Sequence, residues 1–223
     1  MYIHTYIRSF SFKMCTKRGA LLVFEGCDRA GKTTQAKKLV EALNANGIPA
    51  KTRSFPDRST VVGEIINKFL TKNIHLPPET IHLLFSANRW EYSEDIINTL
   101  KSGVTLVLDR YAASGAAYTA ANTNKDLKWC KESDRGLPRP DLVFLFKINE
   151  SNLNSRENWG VEKFENTDFQ KKVSLNFEKL MDEKWIVIDA NQTIDKIHSI
   201  LYNDTVKLIE NVSNTPIEFL YES

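Results

Sequence analysis

The chain has 223 residues, of which 42% are hydrophobic and 26% are charged, and its formal net charge at pH 7 is +2. This size and composition are typical of one globular domain, and the small charge argues against a dedicated nucleic-acid binder. No apolar run approaches the roughly 20 residues that span a bilayer, so we expect a soluble protein without a membrane segment. The cysteines Cys15, Cys27 and Cys130 lack CxxC spacing, which predicts a reducing compartment without disulfides or a zinc site.

The beginning of the chain differs in composition from the rest. Residues 1–18 contain no acidic residue, and their basic residues are Arg8, Lys13, Lys17 and Arg18. An organelle transit peptide or a disordered extension can have this composition, and Met14 is an alternative start. We predict an N-terminal extension over residues 1–17, disordered in solution, and a single domain over residues 18–223.

A phosphate-binding motif follows the first predicted strand. Residues 26–33 read Gly-Cys-Asp-Arg-Ala-Gly-Lys-Thr, and they lie between an apolar run and an amphipathic helix. In this strand–loop–helix context the backbone N–H groups can surround a polyphosphate at the helix N-terminus. Lys32 would reach the outer phosphates and the Thr33 hydroxyl would bind Mg²⁺. The alternative is a glycine turn that begins an ordinary helix.

Apolar runs that suit buried strands alternate with helical periodicity along the chain. The predicted strands are 21–24, 50–54, 104–108, 141–146 and 185–188. One predicted helix directly follows the phosphate loop, and a second begins at residue 59 or 60. A third runs from residue 77 to about residue 101, and a fourth follows residue 111. The remaining predicted helices include residues 127–130, 173–180 and 197–208. This alternation predicts an α/β domain of three layers with a five-stranded parallel sheet and no second domain.

An acidic and a basic residue end the third predicted strand, where Asp109 and Arg110 directly follow residues 104–108. In a phosphate-loop protein, an acid at the carboxyl end of a strand is well placed to orient Mg²⁺, directly or through water. An adjacent arginine can bind a second phosphate with two hydrogen bonds. The alternative is that polar residues simply reach the surface at strand ends.

Phe85 and Arg89 lie four residues apart in the helix predicted over residues 77–101. Side chains at this spacing share one helix face, so Phe85 could stack on a flat base while Arg89 reaches the edge of that base. Taken alone, the pair is better explained by a core phenylalanine and a solvated arginine.

Residues 147–166 are polar and include Arg156, Gly160 and Lys163. This composition suits a mobile lid, because the charges can bind phosphates and little apolar area would hold the segment closed. A solvated surface loop is the alternative interpretation.

Taken in order, these blocks resemble the thymidylate kinase family in its eukaryotic form, over about residues 17–221. The residues that carry the resemblance are Phe24–Gln35, Phe55–Thr60, Leu84–Glu91, Asp109–Tyr111 with Ser114 and Gly115, and Leu137–Leu142. The resemblance implies a P-loop nucleoside monophosphate kinase fold with a lid at about residues 147–166. It also implies Mg²⁺-dependent transfer of the γ-phosphoryl group of ATP to dTMP, which gives dTDP and ADP. A homodimer and a cytoplasmic or nuclear location are implied as well, with mitochondrial targeting by residues 1–18 as the alternative.

The resemblance further implies roles for individual residues. The ATP-binding residues would be Gly26, Arg29, Ala30, Gly31, Lys32, Thr33 and Thr34, with Asn191 and Gln192 beside adenine. The dTMP-binding residues would be Asp28, Phe55, Arg58, Phe85, Arg89, Arg110, Ser114, Gly115 and Tyr118. The catalytic residues would be Arg29, Lys32 and Arg110, the metal ligands Thr33 and Asp109, and the lid residues Arg156 and Phe164.

Within the implied dTMP site, Arg58 and Arg110 would hold the phosphate, Phe85 would stack on thymine and Arg89 would bond its edge. Arg29 resembles the catalytic arginine that eukaryotic members keep in the phosphate loop, which would make Arg156 dispensable. Two positions depart from the family pattern. Phe164 stands where a tyrosine is common, so a hydroxyl contact there is not assumed, and Tyr118 stands where a phenylalanine is also found, which leaves sugar discrimination open.

Three other functions fit parts of the sequence. A kinase for dUMP, another monophosphate or a nucleoside would share most of these residues, since a methyl pocket is not visible in sequence. A GTP-dependent switch would need an Asn-Lys-x-Asp motif, but in residues 124–127 the acid comes one position early. A nucleotide-binding scaffold without turnover is disfavoured by the set Lys32, Thr33, Asp109 and Arg110.

Overall fold

A computed structural model describes residues 17–123, 125–149 and 163–222. Its centre is a sheet of five strands, β1 (Leu21–Gly26), β2 (Ala50–Ser54), β3 (Thr105–Asp109), β4 (Leu142–Lys147) and β5 (Trp185–Asp189). The strand order is β2-β3-β1-β4-β5, and all four neighbouring pairs are parallel. The central β1 therefore delivers the phosphate-loop motif to the carboxyl edge of the sheet, between the ends of β3 and β4. The predicted α/β fold with a five-stranded parallel sheet is confirmed.

Helices cover both faces of this sheet. They are α1 (Lys32–Ala45), α2 (Val61–Leu70), α3 (Pro78–Trp90), α4 (Ser93–Lys101), α5 (Ala112–Asn122), α6 (Leu127–Glu132), α7 (Thr167–Leu180) and α8 (Ile194–Val212). Alternate residues of β1 enter different core clusters: Leu22 packs in a cluster with residues of α1 and α8, whereas Leu21 packs with residues of α4. Burial on both faces explains why this strand is a continuous apolar run rather than an alternating one. Of the helices in the described residues, none is both long and apolar enough to cross a membrane.

The prediction of one helix from residue 77 to residue 101 is wrong, because α3 and α4 are separated at Glu91 and Tyr92. Tyr92 turns toward the loop after β2, where its hydroxyl donates a hydrogen bond of 2.6 Å to Asp57 Oδ2. The Arg53 guanidinium also lies 3.7 Å above the centre of the Tyr92 ring. These tertiary contacts break a segment that contains no glycine or proline at the break, so helical periodicity could not reveal the interruption.

A buried ion pair ties the start of the domain to β4. Arg18 donates hydrogen bonds of 2.8 and 2.7 Å to the two carboxylate oxygens of Asp141. Asp141 also accepts a hydrogen bond of 2.8 Å from the backbone N–H of Leu21, at the start of β1. The division into residues 1–17 and one domain of residues 18–223 stays a prediction, because residues 1–16 lie outside the described part of the chain.

The C-terminal segment, residues 216–222, packs along the loop that precedes β4. Its backbone exchanges hydrogen bonds with that loop: Gly136 N–H donates to Leu220 C=O at 3.0 Å, and Leu220 N–H donates to Leu137 C=O at 2.8 Å. The Arg139 N–H donates to Glu218 C=O at 2.8 Å. The loop that carries residues 134–139 is therefore held by a part of the chain about 80 residues further along.

We predict that Asp141→Ala lowers the free energy of unfolding by about 3–5 kcal/mol, because it leaves Arg18 buried without its partner. Thermal unfolding followed by circular dichroism measures this change as a lower Tm. Asp195→Ala is the matched control, since Asp195 pairs with Lys38 at an exposed position and should shift the Tm only slightly. Equal shifts in the two variants would contradict the prediction.

Candidate active site

The phosphate loop is shaped by positive φ angles. Gly26 ends β1 with φ +135°, and a Cβ there would lie 2.4 Å from the Phe146 carbonyl oxygen. Gly31 has φ +89° and immediately precedes α1, whose N-terminal N–H groups face the loop. Arg29 between them is a non-glycine residue with φ +59°. The two glycines thus allow the tight turn that aims backbone donors at a bound anion.

Lys32 folds back over this loop. Its side chain is buried, and its Nζ donates hydrogen bonds of 2.6 Å to Cys27 C=O and 3.2 Å to Gly26 C=O. Burial, with the nearby charge of Arg110, lowers the pKa of Lys32 to about 8. The ammonium group is therefore positioned inside the loop, at the edge of the sheet where phosphates would be held.

Thr33 and Asp109 meet at the carboxyl edge of the sheet. The Thr33 hydroxyl, in the first turn of α1, donates a hydrogen bond to Asp109 Oδ2 at the end of β3. Hydroxyl and carboxylate oxygens are hard donors of the kind that Mg²⁺ selects. Within the described residues, no group of three or more His, Cys, Asp or Glu side chains could hold a metal. This pair therefore fits a magnesium ion whose other ligands would be phosphate oxygens and water.

Arg110 lies in a dense network at the same edge. Its Nη2 donates to Asp28 Oδ1 at 2.6 Å, and its Nη1 donates to Gly26 C=O at 2.9 Å and Ser114 Oγ at 3.1 Å. Asp28 also accepts from the Tyr118 hydroxyl at 2.9 Å. Burial alone would raise the pKa of Asp28, but the charges of Arg110 and Lys32 and these hydrogen bonds hold it below its ordinary value. The loop carboxylate is thus ionised and paired with the arginine of β3.

A cavity of about 250 Å³ opens beside this network. All nine residues predicted to bind dTMP line it: Asp28, Phe55, Arg58, Phe85, Arg89, Arg110, Ser114, Gly115 and Tyr118. They come from four separate parts of the chain, so the fold brings together residues that the sequence shows only in scattered blocks. Apolar rings line one part of the cavity and charged groups another, as expected for a site that binds a base and a phosphate.

Arg89 is buried, whereas the sequence alone favoured a solvated arginine at this position. It makes a bidentate ion pair with Asp134, through Nε to Oδ1 at 3.0 Å and Nη2 to Oδ2 at 2.7 Å. The Ser86 hydroxyl donates to the same carboxylate at 2.7 Å. A Cβ on Gly115 would lie 2.5 Å from Arg89 Nη2, so the glycine leaves space for the guanidinium. Arg89 is therefore held rigidly at the cavity wall.

Phe164 and Tyr118 close another wall of the cavity. The Phe164 ring stacks on Phe169 with 5.0 Å between ring centres and packs edge-on against Tyr118 at 5.8 Å. Burial raises the pKa of Tyr118 well above its ordinary value, so its hydroxyl stays protonated and can donate to Asp28. Most of the predicted lid, including Arg156, lies outside the described residues.

Arg29 contacts the end of the predicted lid. It forms an ion pair with Glu165, with 2.9 Å between Arg29 Nη2 and Glu165 Oε1, and its Nε donates to the same oxygen. The Glu165 side chain is mostly buried and lines the cavity. An arginine of the phosphate loop and a carboxylate that reaches the cavity are thus joined across the site.

Asn191 and Gln192 lie in the turn after β5, two strands away from β1. Asn191 donates through its backbone and side chain to Asp189 Oδ1 and accepts from the Asn149 N–H. Gln192 Oε1 is buried without a hydrogen-bond partner among the described residues. These residues share the carboxyl edge of the sheet with the phosphate loop but do not line the cavity.

Sequence reasoning missed three polar residues that organise the site. Asp134 holds Arg89, and it lies in a polar stretch with no local pattern that pairs it with α3. Gln170 donates to Asp28 Oδ2 at 2.8 Å from α7, again without a local signal. Glu25 is fully buried at the end of β1, and a charged residue within an apolar strand was the available signal. Burial raises the pKa of Glu25, although Ser114 and Arg110 oppose this shift.

Comparison with known proteins agrees with this arrangement. The family model described as thymidylate kinase matches residues 24–200. A thymidylate kinase of Danio rerio is 43% identical over 211 residues, covering 93% of this chain and 100% of the relative. The thymidylate kinase of Homo sapiens is 44% identical over 200 residues, covering 87% of this chain and 94% of the relative. A solved structure of thymidylate kinase from Candida albicans has a TM-score of 0.84 and 36% sequence identity, covering 92% of this chain and 99% of that one. With its phosphate loop, its cavity and relatives matched over almost their whole length, this chain belongs to the thymidylate kinase family.

Proposed function

We propose that this protein transfers the γ-phosphoryl group of ATP to dTMP, giving dTDP and ADP, at the cavity beside the phosphate loop. The observation that carries the proposal is the lining of that cavity, where Phe85, Arg89, Arg58 and Arg110 surround one space next to the loop. An aromatic ring with a fixed arginine suits a pyrimidine base, and two further arginines suit its phosphate.

The donor phosphates would bind to the loop. Its backbone N–H groups and the positive end of α1 would surround the β- and γ-phosphates of ATP, as in other phosphate-loop enzymes. Lys32 already lies inside the loop, where its Nζ bonds to the carbonyls of Gly26 and Cys27. A bound phosphate would exchange these carbonyl bonds for stronger charge-assisted ones. Asn191 and Gln192 are proposed to lie near adenine.

Thr33 and Asp109 are the residues that would hold Mg²⁺. The ion, when bound, would neutralise charge that accumulates between the donor phosphates. The chain itself would contribute two oxygen atoms from α1 and β3, already within hydrogen-bonding distance of each other. This small number of protein ligands is usual for magnesium at phosphate-binding sites.

The acceptor would be held at both ends. Arg110 and Arg58 would bind the dTMP phosphate, while Phe85 stacks on thymine and Arg89 bonds the base edge. Arg89 can do so because Asp134 and Ser86 fix its guanidinium, which leaves little side-chain entropy to lose on binding. Tyr118 and Asp28 would contact the deoxyribose, and Phe164 would complete the wall beside it.

Phosphoryl transfer needs little covalent chemistry from the protein, so positioning and charge stabilisation would supply the rate. Arg29, from the loop, and Arg110, from the end of β3, would neutralise charge on the transferring group. Closure of residues 147–166 over the site would exclude water and favour transfer over hydrolysis.

A coupled assay of ADP formation from ATP and Mg²⁺ tests the proposal with dTMP, dUMP, dCMP and dGMP as acceptors. We expect turnover with dTMP and slower turnover with dUMP, because one methyl group contributes only about 1–3 kcal/mol of discrimination. Turnover with another monophosphate but not with dTMP would contradict the proposal that dTMP is the acceptor. No turnover with any of the four would favour the alternative of a nucleotide-binding scaffold without catalysis.

The alternative of a GTP-dependent switch gains no support from the structure, since Asp126 caps α6 by accepting from the Trp129 N–H.

A homodimer is also part of the proposal. Large apolar side chains are exposed on α2 and α3, the two helices that follow β2 in the chain. Val61 on α2 is 78% exposed, and Leu83 and Trp90 on α3 are 54% and 41% exposed. Burying such groups between two copies would be favourable. Sedimentation velocity of the purified chain distinguishes dimer from monomer. A cytoplasmic location is proposed, with a nuclear location or mitochondrial targeting by residues 1–18 as the alternatives. The net charge of only +2 argues against a nucleic-acid partner, and the lack of a long apolar run in the sequence argues against a membrane partner.

We predict that Arg29→Ala lowers kcat by about 10³–10⁵, because an arginine on the transferring phosphoryl group contributes a factor of this size. Steady-state kinetics at saturating ATP and dTMP measure the change, with a thermal melt to verify folding. Lys38→Ala is the control, since Lys38 pairs with Asp195 at an exposed position and does not line the cavity. A kcat near the wild-type value in Arg29→Ala would remove Arg29 from the mechanism.

We predict that Asp134→Asn raises the KM for dTMP by roughly 10- to 100-fold, because Arg89 loses a charged partner and its fixed orientation. The KM for ATP should change little, since the side-chain partners of the Asp134 carboxylate are Arg89 and Ser86, which do not belong to the phosphate loop. Glu183→Gln, which alters an exposed partner of Arg139, is the control. A lower Tm with an unchanged KM for dTMP would limit Asp134 to a role in stability.

A further inference from the structure

Glu25 is a buried charge that the proposed mechanism does not use. It is 0% exposed, it ends an apolar strand, and it does not line the acceptor cavity. Burying a carboxylate is costly unless hydrogen bonds compensate for lost water. Its oxygens accept three such bonds, from Tyr111 N–H and Ser114 N–H at 3.0 Å each to Oε1, and from the Ser114 hydroxyl at 2.5 Å to Oε2.

The third of these bonds decides the direction of the Ser114 hydroxyl. A serine hydroxyl has one proton to donate and lone pairs with which to accept. Because the proton of Ser114 goes to Glu25, the oxygen presents a lone pair to Arg110 Nη1, which donates to it at 3.1 Å. The chain of bonds runs from Arg110 through Ser114 to Glu25, with every donor facing an acceptor.

This chain of hydrogen bonds leaves one edge of the Arg110 guanidinium for a ligand. Both Nη1 hydrogens are used by Gly26 C=O and Ser114 Oγ, and one Nη2 hydrogen is used by Asp28. Within the described residues the Nε–H and the second Nη2–H have no partner recorded, and together they can form the two-pronged contact that a phosphate accepts. Arg110 also has φ +69°, and Glu25 holds the N–H of the next residue, Tyr111.

We propose that Glu25 is a positioning residue for the acceptor: its buried carboxylate orients Ser114 and the first turn of α5, and thereby fixes the edge that Arg110 presents to the dTMP phosphate. This inference rests on the proposed function. Glu25 also stabilises the start of α5, whose N-terminal residue lacks a side-chain cap, so its test must separate positioning from stability.

Glu25→Gln keeps the shape of the side chain and removes its charge. Its amide oxygen can still accept from the two backbone N–H groups, but its NH₂ group would donate to Ser114. The Ser114 oxygen would then accept from both that NH₂ group and Arg110 Nη1, and its proton would lose the acceptor that fixes the hydroxyl direction. We therefore expect the KM and the Kd for dTMP to rise at least about tenfold. The KM for ATP should change less than about threefold, because the hydrogen bonds of the Glu25 carboxylate in the described structure go to Tyr111 and Ser114 rather than to the phosphate loop.

The matched control is Asp141→Asn, which alters another buried carboxylate, remote from the cavity. It should lower the Tm and leave the KM for dTMP unchanged. A second comparison uses Ser114→Ala with and without Glu25→Gln. If the two residues act through one chain of hydrogen bonds, Glu25→Gln adds little to the increase in the KM for dTMP that Ser114→Ala causes, whereas independent increases would multiply.

Two results would overturn the inference. The first is a Glu25→Gln protein whose Tm falls as that of Asp141→Asn does while its KM for dTMP keeps the wild-type value. The second is a double variant with Ser114→Ala in which the two increases in the KM for dTMP multiply. If Glu25→Gln does not fold, NMR of the wild type supplies the test. A slowly exchanging Ser114 hydroxyl proton with a nuclear Overhauser effect to the Glu25 side chain supports the inference, and its absence contradicts it. Wild-type protein that fails to turn over dTMP would contradict the proposed function instead.

Discussion

The partly buried guanidinium of Arg110 is the group on which the rest of the site depends. It joins the phosphate loop, through Gly26 and Asp28, to the first turn of α5, through Ser114. Its ion pair with Asp28 and its hydrogen bonds to Gly26 and Ser114 restrain these neighbours as well as the arginine itself. The phosphate loop and the cavity therefore share one wall, which Arg110 links by hydrogen bonds to both.

A buried ion pair, Arg89 with Asp134, lies at the part of the cavity that is proposed to hold the base. Such pairs are weak evidence for stability, because desolvation of both charges offsets most of their attraction. Their value lies in orientation: the two hydrogen bonds and Ser86 leave the guanidinium a single position at the cavity wall. Arg89 thus depends on a carboxylate that does not itself line the cavity, whereas Arg110 pairs with Asp28, which does.

Local patterns in the sequence were sufficient for the strands, most helices and the phosphate loop, because apolar runs, glycine positions and helical spacing are all visible within short windows. They failed at Glu91 and Tyr92, where contacts with Asp57 and Arg53 break a helix that its periodicity would continue. They also failed for Asp134 and Gln170, whose partners are 45 and 142 residues away in the chain. The residues lining the cavity were predictable only through family resemblance, since nothing local shows that Arg58 and Tyr118 share one space.

The two halves of the site differ in how they are assembled. The phosphate loop is built by consecutive residues between β1 and α1, whereas the loop that carries Asp134 is anchored by backbone bonds from the C-terminal segment to Gly136, Leu137 and Arg139. Loosening of that distant segment would therefore disturb the loop that holds Arg89 through Asp134, whereas the phosphate loop depends on its own neighbouring residues.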